Sequence, residues 1–223
     1  WVRRCCGLEA FDTYYMEKGV VANFECERPH RGRALQWFRN DGVLAWLPLP
    51  GNRISMVWSA PDALADQLTA LPPAELCERV AAAGNQSLGK LTPLTPAAAF
   101  PLRLMKVPKV VAPRLALVGD AAHGIHPLSG HGINLGYQDA RVLAETLASC
   151  QPWHDIGHLN ILERYQRARK EEVMLLQTST DALRQLFKAE LPGIRTLRNM
   201  GMNLTNRLPL VKNILTRYAL GTL

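Results

Sequence analysis

The 223-residue chain is predicted to be a mixed α/β (α+β) protein, with an antiparallel sheet in its first half and a helical C-terminus. Three observations predict this. Residues 20–58 alternate strand-like runs with turn signals. Residues 115–118 form a short apolar run that ends in Gly-Asp and leads through a Gly-rich loop into a helix pattern. Beyond Gly157, apolar residues recur at helical spacing. Hydrophobic residues make up 48% and charged residues 20% of the chain, which suits a globular protein and excludes a disordered, collagen-like or disulfide-miniprotein chain.

The elements follow in order. Val20–Glu27 is the first strand of the sheet. Ala34–Phe38 and Val43–Leu49 flank Asn40-Asp41-Gly42, residues that accept the backbone angles of a hairpin turn. A second turn at Pro48–Asn52 leads into a strand over Arg53–Ser59. Residues 61–90 switch to Ala/Leu/Glu-rich text, with Pro61 and Pro72-Pro73 at helix starts. Ala97–Leu104 returns to strand, and Leu115–Val118 reads as a buried parallel strand. Helices are expected from about Asn134 to Ala148 and over a stretch carrying Leu162, Tyr165, Val173, Leu176, Leu183 and Phe187. Ile194, Leu197, Leu204, Leu208, Val211 and Leu215 continue the rhythm, broken into two helices at Pro209.

Charge is uneven. Residues 1–150 hold 15 basic and 13 acidic side chains, whereas residues 151–223 hold 11 and 6. The basic C-terminal stretch is either a solvated helical face or a surface attracted to an anionic partner. No known nucleic-acid motif is present. No apolar run approaches the roughly 20 residues that span a bilayer, and no apolar segment follows Arg3-Arg4 as a signal peptide requires. Five cysteines without framework spacing (Cys5, Cys6, Cys26, Cys77, Cys150) read as reduced thiols of a cytosolic protein.

The chemistry is concentrated in Leu115–Leu147. The apolar strand delivers Asp120 at its C-terminal end, where a carboxylate accepts hydrogen bonds from ligand hydroxyls. Gly130 and Gly132 allow the backbone to approach a flat ligand. The helix that starts near Ile133-Asn134 directs its free N–H groups into the same loop and favours negative charge there. Other readings of this stretch fail. Gly130–Gly136 misses the dinucleotide fingerprint by one residue, follows a loop rather than a strand, and has no acid-ended strand about 20 residues later. His123, His126 and His131 lack the spacing and companion ligands of a zinc site and read as loop histidines with local hydrogen bonds. Ser129 lacks the G-x-S-x-G context of a nucleophile.

The run G-D-A-A-H-x-x-H-P-x-x-G-x-G-x-N-x-G-x-x-D-A resembles the second FAD motif of the flavoprotein aromatic hydroxylases, most closely the ubiquinone-biosynthesis hydroxylase family. The resemblance extends along the chain. Val2-Arg3-Arg4 is similar to the end of the family's G-A-D-G-x-x-S-x-V-R segment. Phe38, Gly42, Leu47-Pro48-Leu49, Val57-Trp58-Ser59 and Phe100-Pro101-Leu102 resemble its substrate-domain sheet. Arg164-Tyr165 and Arg217–Gly221 resemble its C-terminal helices.

The resemblance implies an FAD-dependent aromatic-hydroxylase fold, here incomplete. Residues 1–12 would end an upstream FAD-binding segment, 13–105 form the substrate domain, 106–150 contact the flavin, and 151–223 form the helical region. Gly119 would belong to the cofactor site, Asp120 would hold a ribityl hydroxyl, and Pro127 would pack beside the isoalloxazine ring. Gly130, Gly132, Ile133 and Asn134 would line its pyrimidine side. His131 stands where relatives commonly carry Gln, and would either tune the flavin or sit neutrally in solvent. With NAD(P)H as co-substrate and O₂ added at flavin C4a, the reaction implied is ring hydroxylation of a polyprenylated phenol or quinol; no catalytic side chain or metal is implied. A non-catalytic scaffold of a ubiquinone-biosynthesis complex and a hydroxylase of small soluble phenols are the alternatives. Trp37, Phe38, Trp46 and Leu47 are either a substrate wall beside the flavin or ordinary core. A membrane-resident substrate gives residues 190–220 a second meaning, a peripheral contact with the inner membrane or a complex by a cytoplasmic protein. Because no G-x-G-x-x-G is present and Trp1 falls where the D-G segment ends, the chain is expected to be the C-terminal part of a longer hydroxylase and to retain FAD poorly alone.

Overall fold

A computed structural model describes residues 2–125, 130 and 132–188. Its contacts divide into two units, one built on a sheet over residues 10–106 and one built on helices from residues 2–9, 107–125 and the described residues from 130 onward.

In the sheet unit, β1 (Phe11–Cys26), β2 (Leu35–Arg39), β3 (Gly42–Leu49), β4 (Arg53–Pro61), β5 (Leu91–Pro93) and β6 (Ala98–Lys106) surround the helices α2 (Asp62–Ala70) and α3 (Pro73–Ala83) in the chain; α1 (Val2–Cys5) belongs to the other unit. The strands run β2-β3-β4-β1-β6, every pair antiparallel, with β5 beside the C-terminal end of β1. Pro61 and Pro72 stand at the helix N-caps, where a missing N–H costs nothing. Of the hairpin residues Asn40, Asp41 and Gly42, only Gly42 takes a positive φ, +129°. A Cβ there would fall on the Ser59 carbonyl oxygen of the neighbouring strand, so the position admits only glycine. Arg39 closes the turn with a bidentate pair to Asp41 at 2.7 and 3.0 Å and a bond to the Ala83 carbonyl at 3.0 Å.

Strand alternation sorts the side chains into two faces. Val20, Ala22 and Phe24 of β1 lie in register with Trp58, Met56 and Ile54 of β4, and all six are buried. With Leu44 and Trp46 they pack against Ala65, Leu68, Leu76 and Val80 of the helices. Each large side chain so buried contributes roughly 1.5–3 kcal/mol. The opposite face carries Val21, Ala45, Val57 and Leu47. β1 bulges between Tyr14 and Lys18, where Met16 has φ +56°, and the two flanking side chains reach Asp62 and Asp66 of α2, each at 2.5 Å.

The helical unit holds β7 (Val111–Ala112), β8 (Leu115–Ala116), α4 (Gly132–Ala148) and the 30-residue α5 (Leu159–Lys188). The buried parallel strand expected over Leu115–Val118 is corrected: only Leu115–Ala116 is paired, antiparallel to Val111–Ala112, and Val118 is exposed. The turn at Pro113-Arg114, with φ +61° at Arg114, folds the run back onto the segment just before it. Val111, Leu162 and Tyr165 form a core with Val142, Leu143 and Leu147, which joins the hairpin, α4 and α5. Leu8, Leu117 and Ala122 form a second. Among the described residues no helix is long and apolar enough to cross a membrane.

Candidate functional site

Leu117 ends the apolar run, and its carbonyl accepts a hydrogen bond from the Tyr165 hydroxyl at 2.9 Å. The chain then turns sharply at Gly119, whose φ of +57° a side chain would strain. Gly119 also lies directly on α4: a Cβ on Gly136 would meet the Gly119 Cα at 3.3 Å, tighter than ordinary van der Waals contact. The two glycines let the turn and the first turns of the helix touch backbone to backbone. Asp120 follows in a single 3₁₀ turn and is exposed. Arg3 donates to the Ala121 carbonyl at 3.1 Å, so the N-terminal segment also grips this turn.

Below the turn lies a polar network centred on Asp139 of α4, which is 0% exposed. Its Oδ2 accepts the Gly119 N–H at 2.9 Å and pairs with His123 Nε2 at 2.6 Å. Its Oδ1 accepts Arg169 Nε at 2.7 Å. Arg169, itself buried, also holds Glu172 and, at 3.3 Å, Gln138. Burial pushes the Asp139 carboxyl up, but the bonds from His123, Arg169 and the Gly119 N–H outweigh it and hold the group below the usual carboxylate range. Burial works against the Arg169 charge too, and its carboxylate partners Asp139 and Glu172 more than restore it. The Tyr165 hydroxyl is pushed upward by burial and by the nearby Asp139 charge, which keeps it a donor.

The N-terminus of α4 is the third part. Gly130 has φ +63°, and a Cβ on Gly130 or Gly132 would meet nothing within 4 Å. Ile133 and Asn134 are exposed while Leu135 is buried, so the first turn presents open backbone on one side. The first four N–H groups of a helix have no partner within it and carry about half a positive charge. An exposed carboxylate for a hydroxyl, side-chain-free backbone for a flat ring and a positive helix end for an anionic ring edge fit the flavin half of FAD. Of the remaining expected residues, Pro127, His131 and the basic stretch 190–220 lie outside the described residues, as do His126 and Ser129.

The four candidates for the substrate wall separate onto two faces. Trp46 is 1% exposed in the helix-backed core, edge-on to Trp37 with ring centroids 4.8 Å apart. Phe38 and Leu47 are 43% and 44% exposed.

Sequence reading passed over Asp139 and Arg169. A signal was present. Asp139 lies four residues after the buried Leu135 of α4, and Arg169 four after the buried Tyr165 of α5. A charge on an apolar stripe announces a buried partner, because lone buried charges are too costly. His123, expected as a loop histidine with a local hydrogen bond, is instead buried, and its bond runs to Asp139, 16 residues further on.

A family model described as FAD binding domain matches residues 1–179. The chain is 36% identical over 223 residues to ubiquinone hydroxylase UbiL of Rhodospirillum rubrum, covering 100% of this chain and 52% of the relative. It is 35% identical over 221 residues to 3-demethoxyubiquinol 3-hydroxylase of Escherichia coli, covering 99% and 56%. The chain thus spans about half the length of the curated relatives it matches. Among solved structures, pqsL of Pseudomonas aeruginosa, a probable FAD-dependent monooxygenase, superposes with a TM-score of 0.68 at 22% identity, over 84% of this chain and 53% of that one. That last likeness is one of fold.

Proposed function

The chain belongs to the FAD binding domain family, and from that premise we propose that the protein is an FAD-dependent monooxygenase that hydroxylates the aromatic ring of a polyprenylated phenol or quinol in ubiquinone biosynthesis. The observation that carries the reading is an exposed Asp120 on a glycine turn packed against the open N-terminus of α4, in a chain that aligns over its own length with about half of each of two ubiquinone-pathway hydroxylases.

FAD, reduced by NAD(P)H, supplies the chemistry that activates O₂. This chain binds and orients it. Asp120 accepts a hydrogen bond from a ribityl hydroxyl. Gly130 and Gly132 admit the ring without Cβ interference. The N–H groups of Gly132, Ile133 and Asn134 stabilise negative charge on the pyrimidine edge, an effect worth about 0.3–1 kcal/mol at an exposed helix end and up to ~2 kcal/mol where partly buried. On the sheet, Phe38 and Leu47 rather than Trp37 and Trp46 contact the substrate, since among the described residues α2 and α3 pack on the Trp46 face. The protein acts in the cytoplasm, peripheral to the inner membrane or to a biosynthetic complex. Residues 190–220 make that contact through basic side chains worth roughly 1 kcal/mol each near an anionic surface.

Anaerobic addition of NAD(P)H to the FAD-bound protein tests the reading. Bleaching of the flavin that accelerates with a polyprenylated phenol, followed on aeration by a product with one added oxygen, is expected. No bleaching with any phenol would place the protein among non-catalytic scaffolds. Bleaching and product only with small soluble phenols would reassign the substrate.

A further inference from the structure

We propose that Asp139 is a positioning residue for the cofactor turn, and that it works as the central tie of a splint whose body is α5. The proposal rests on the FAD reading above. Of the buried polar residues described on α5, Tyr165, Arg169 and Gln177 line one stripe. Tyr165 holds the Leu117 carbonyl at 2.9 Å, just before the turn. Gln177 holds the Gly124 carbonyl at 3.1 Å, just after it. Arg169, between them, grips Asp139, which in turn takes the Gly119 N–H inside the turn and the His123 ring. Residues 117–124 are therefore tied to one helix at both ends and, through Asp139, in the middle.

The chemistry of the centre argues for more than packing. Three donors converge on two carboxylate oxygens, and no uncharged side chain of this size offers that many acceptors. A buried ionic cluster is seldom a better source of stability than apolar residues of equal volume. Its distinguishing property is fixed geometry, because each bond has a length and a direction. That geometry is imposed on Gly119, one residue before Asp120 and in contact with the first turns of α4. The two groups proposed to hold the flavin are thus set relative to each other by a residue that touches neither ring nor ribityl chain.

The test uses the FAD-bound protein and its reconstitutable apoprotein. Asp139→Asn, His123→Ala, His123→Gln and Asp120→Ala are compared with Leu162→Ala, which weakens the same unit's core without entering the network. The readouts are the FAD dissociation constant of folded apoprotein and the position and shape of the flavin visible band. Asp139→Asn is expected to weaken FAD at least tenfold and shift the band. His123→Ala should do so to a lesser degree, and His123→Gln, whose amide nitrogen replaces the ring donor, should recover most of the loss. Leu162→Ala should lower thermal stability yet leave affinity and band unchanged. Wild-type affinity and band in Asp139→Asn, or equal losses in Leu162→Ala, would overturn the proposal. If Asp139→Asn does not fold, the two His123 variants decide: equal affinity and an unshifted band in both would overturn it. Wild-type protein indifferent to Asp120→Ala would sink the FAD reading itself, and the positioning role with it.

Discussion

Asp139 keeps its charge where burial opposes it, and the pH dependence of stability should show this. Its native value lies below the usual carboxylate value of about 3.9, so the stabilisation is complete above that value and is lost as pH falls through the native one. Urea unfolding of Asp139→Asn should show a deficit of roughly 3–5 kcal/mol at neutral pH, because the partners are left uncompensated. The gap should begin to narrow only as pH falls below the usual carboxylate value of about 3.9, and close as the native carboxyl, held lower still, takes up its proton. A gap that persists at lower pH would show that the carboxylate charge is not its source. Gly136→Ala probes the contact above it. The added methyl has only the Gly119 backbone to move, and overpacking of that kind costs about 1–3 kcal/mol. Asp120 and the loop glycines were legible in sequence because their chemistry is carried by residue type. The Asp139–Arg169 pair was not, because its two members are 30 residues apart and only the folded chain brings them together.

At the scale of elements, local pattern carried far. The hairpins and the two helix starts follow from turn residues and prolines, and the strands from alternation. Alternation alone does not say which face of a sheet the helices cover, so it left Trp37, Phe38, Trp46 and Leu47 equivalent. α2 and α3 settle it by packing on the Trp46 side. Trp46→Ala should therefore cost roughly 3–5 kcal/mol by chemical denaturation. Phe38→Ala, at a position 43% exposed, should cost under about 1 kcal/mol and instead raise KM for a polyprenylated phenol. The reverse pattern would return the substrate wall to the tryptophans. The strand before Gly119 shows the opposite failure. A four-residue apolar run carries no record of its neighbours, and here its partner is the hairpin arm at Val111–Ala112.

For the whole molecule, most of the surplus of positive charge lies in residues 151–223. If residues 190–220 meet an anionic membrane, neutralising Arg195, Arg198, Arg207, Lys212 and Arg217 should abolish co-flotation with anionic liposomes; undiminished flotation would remove that contact. Hydroxylation by this protein requires that the turn at Asp120 and the open end of α4 hold the flavin half of FAD. The direct measurement is FAD titration of the apoprotein with Asp120 intact and with Asp120→Ala. The expected result is weak but saturable binding by the wild type, weakened at least a further tenfold in the variant, since a hydrogen bond to a charged acceptor is worth about 1.5–3 kcal/mol. Equal affinity in the two proteins would contradict it.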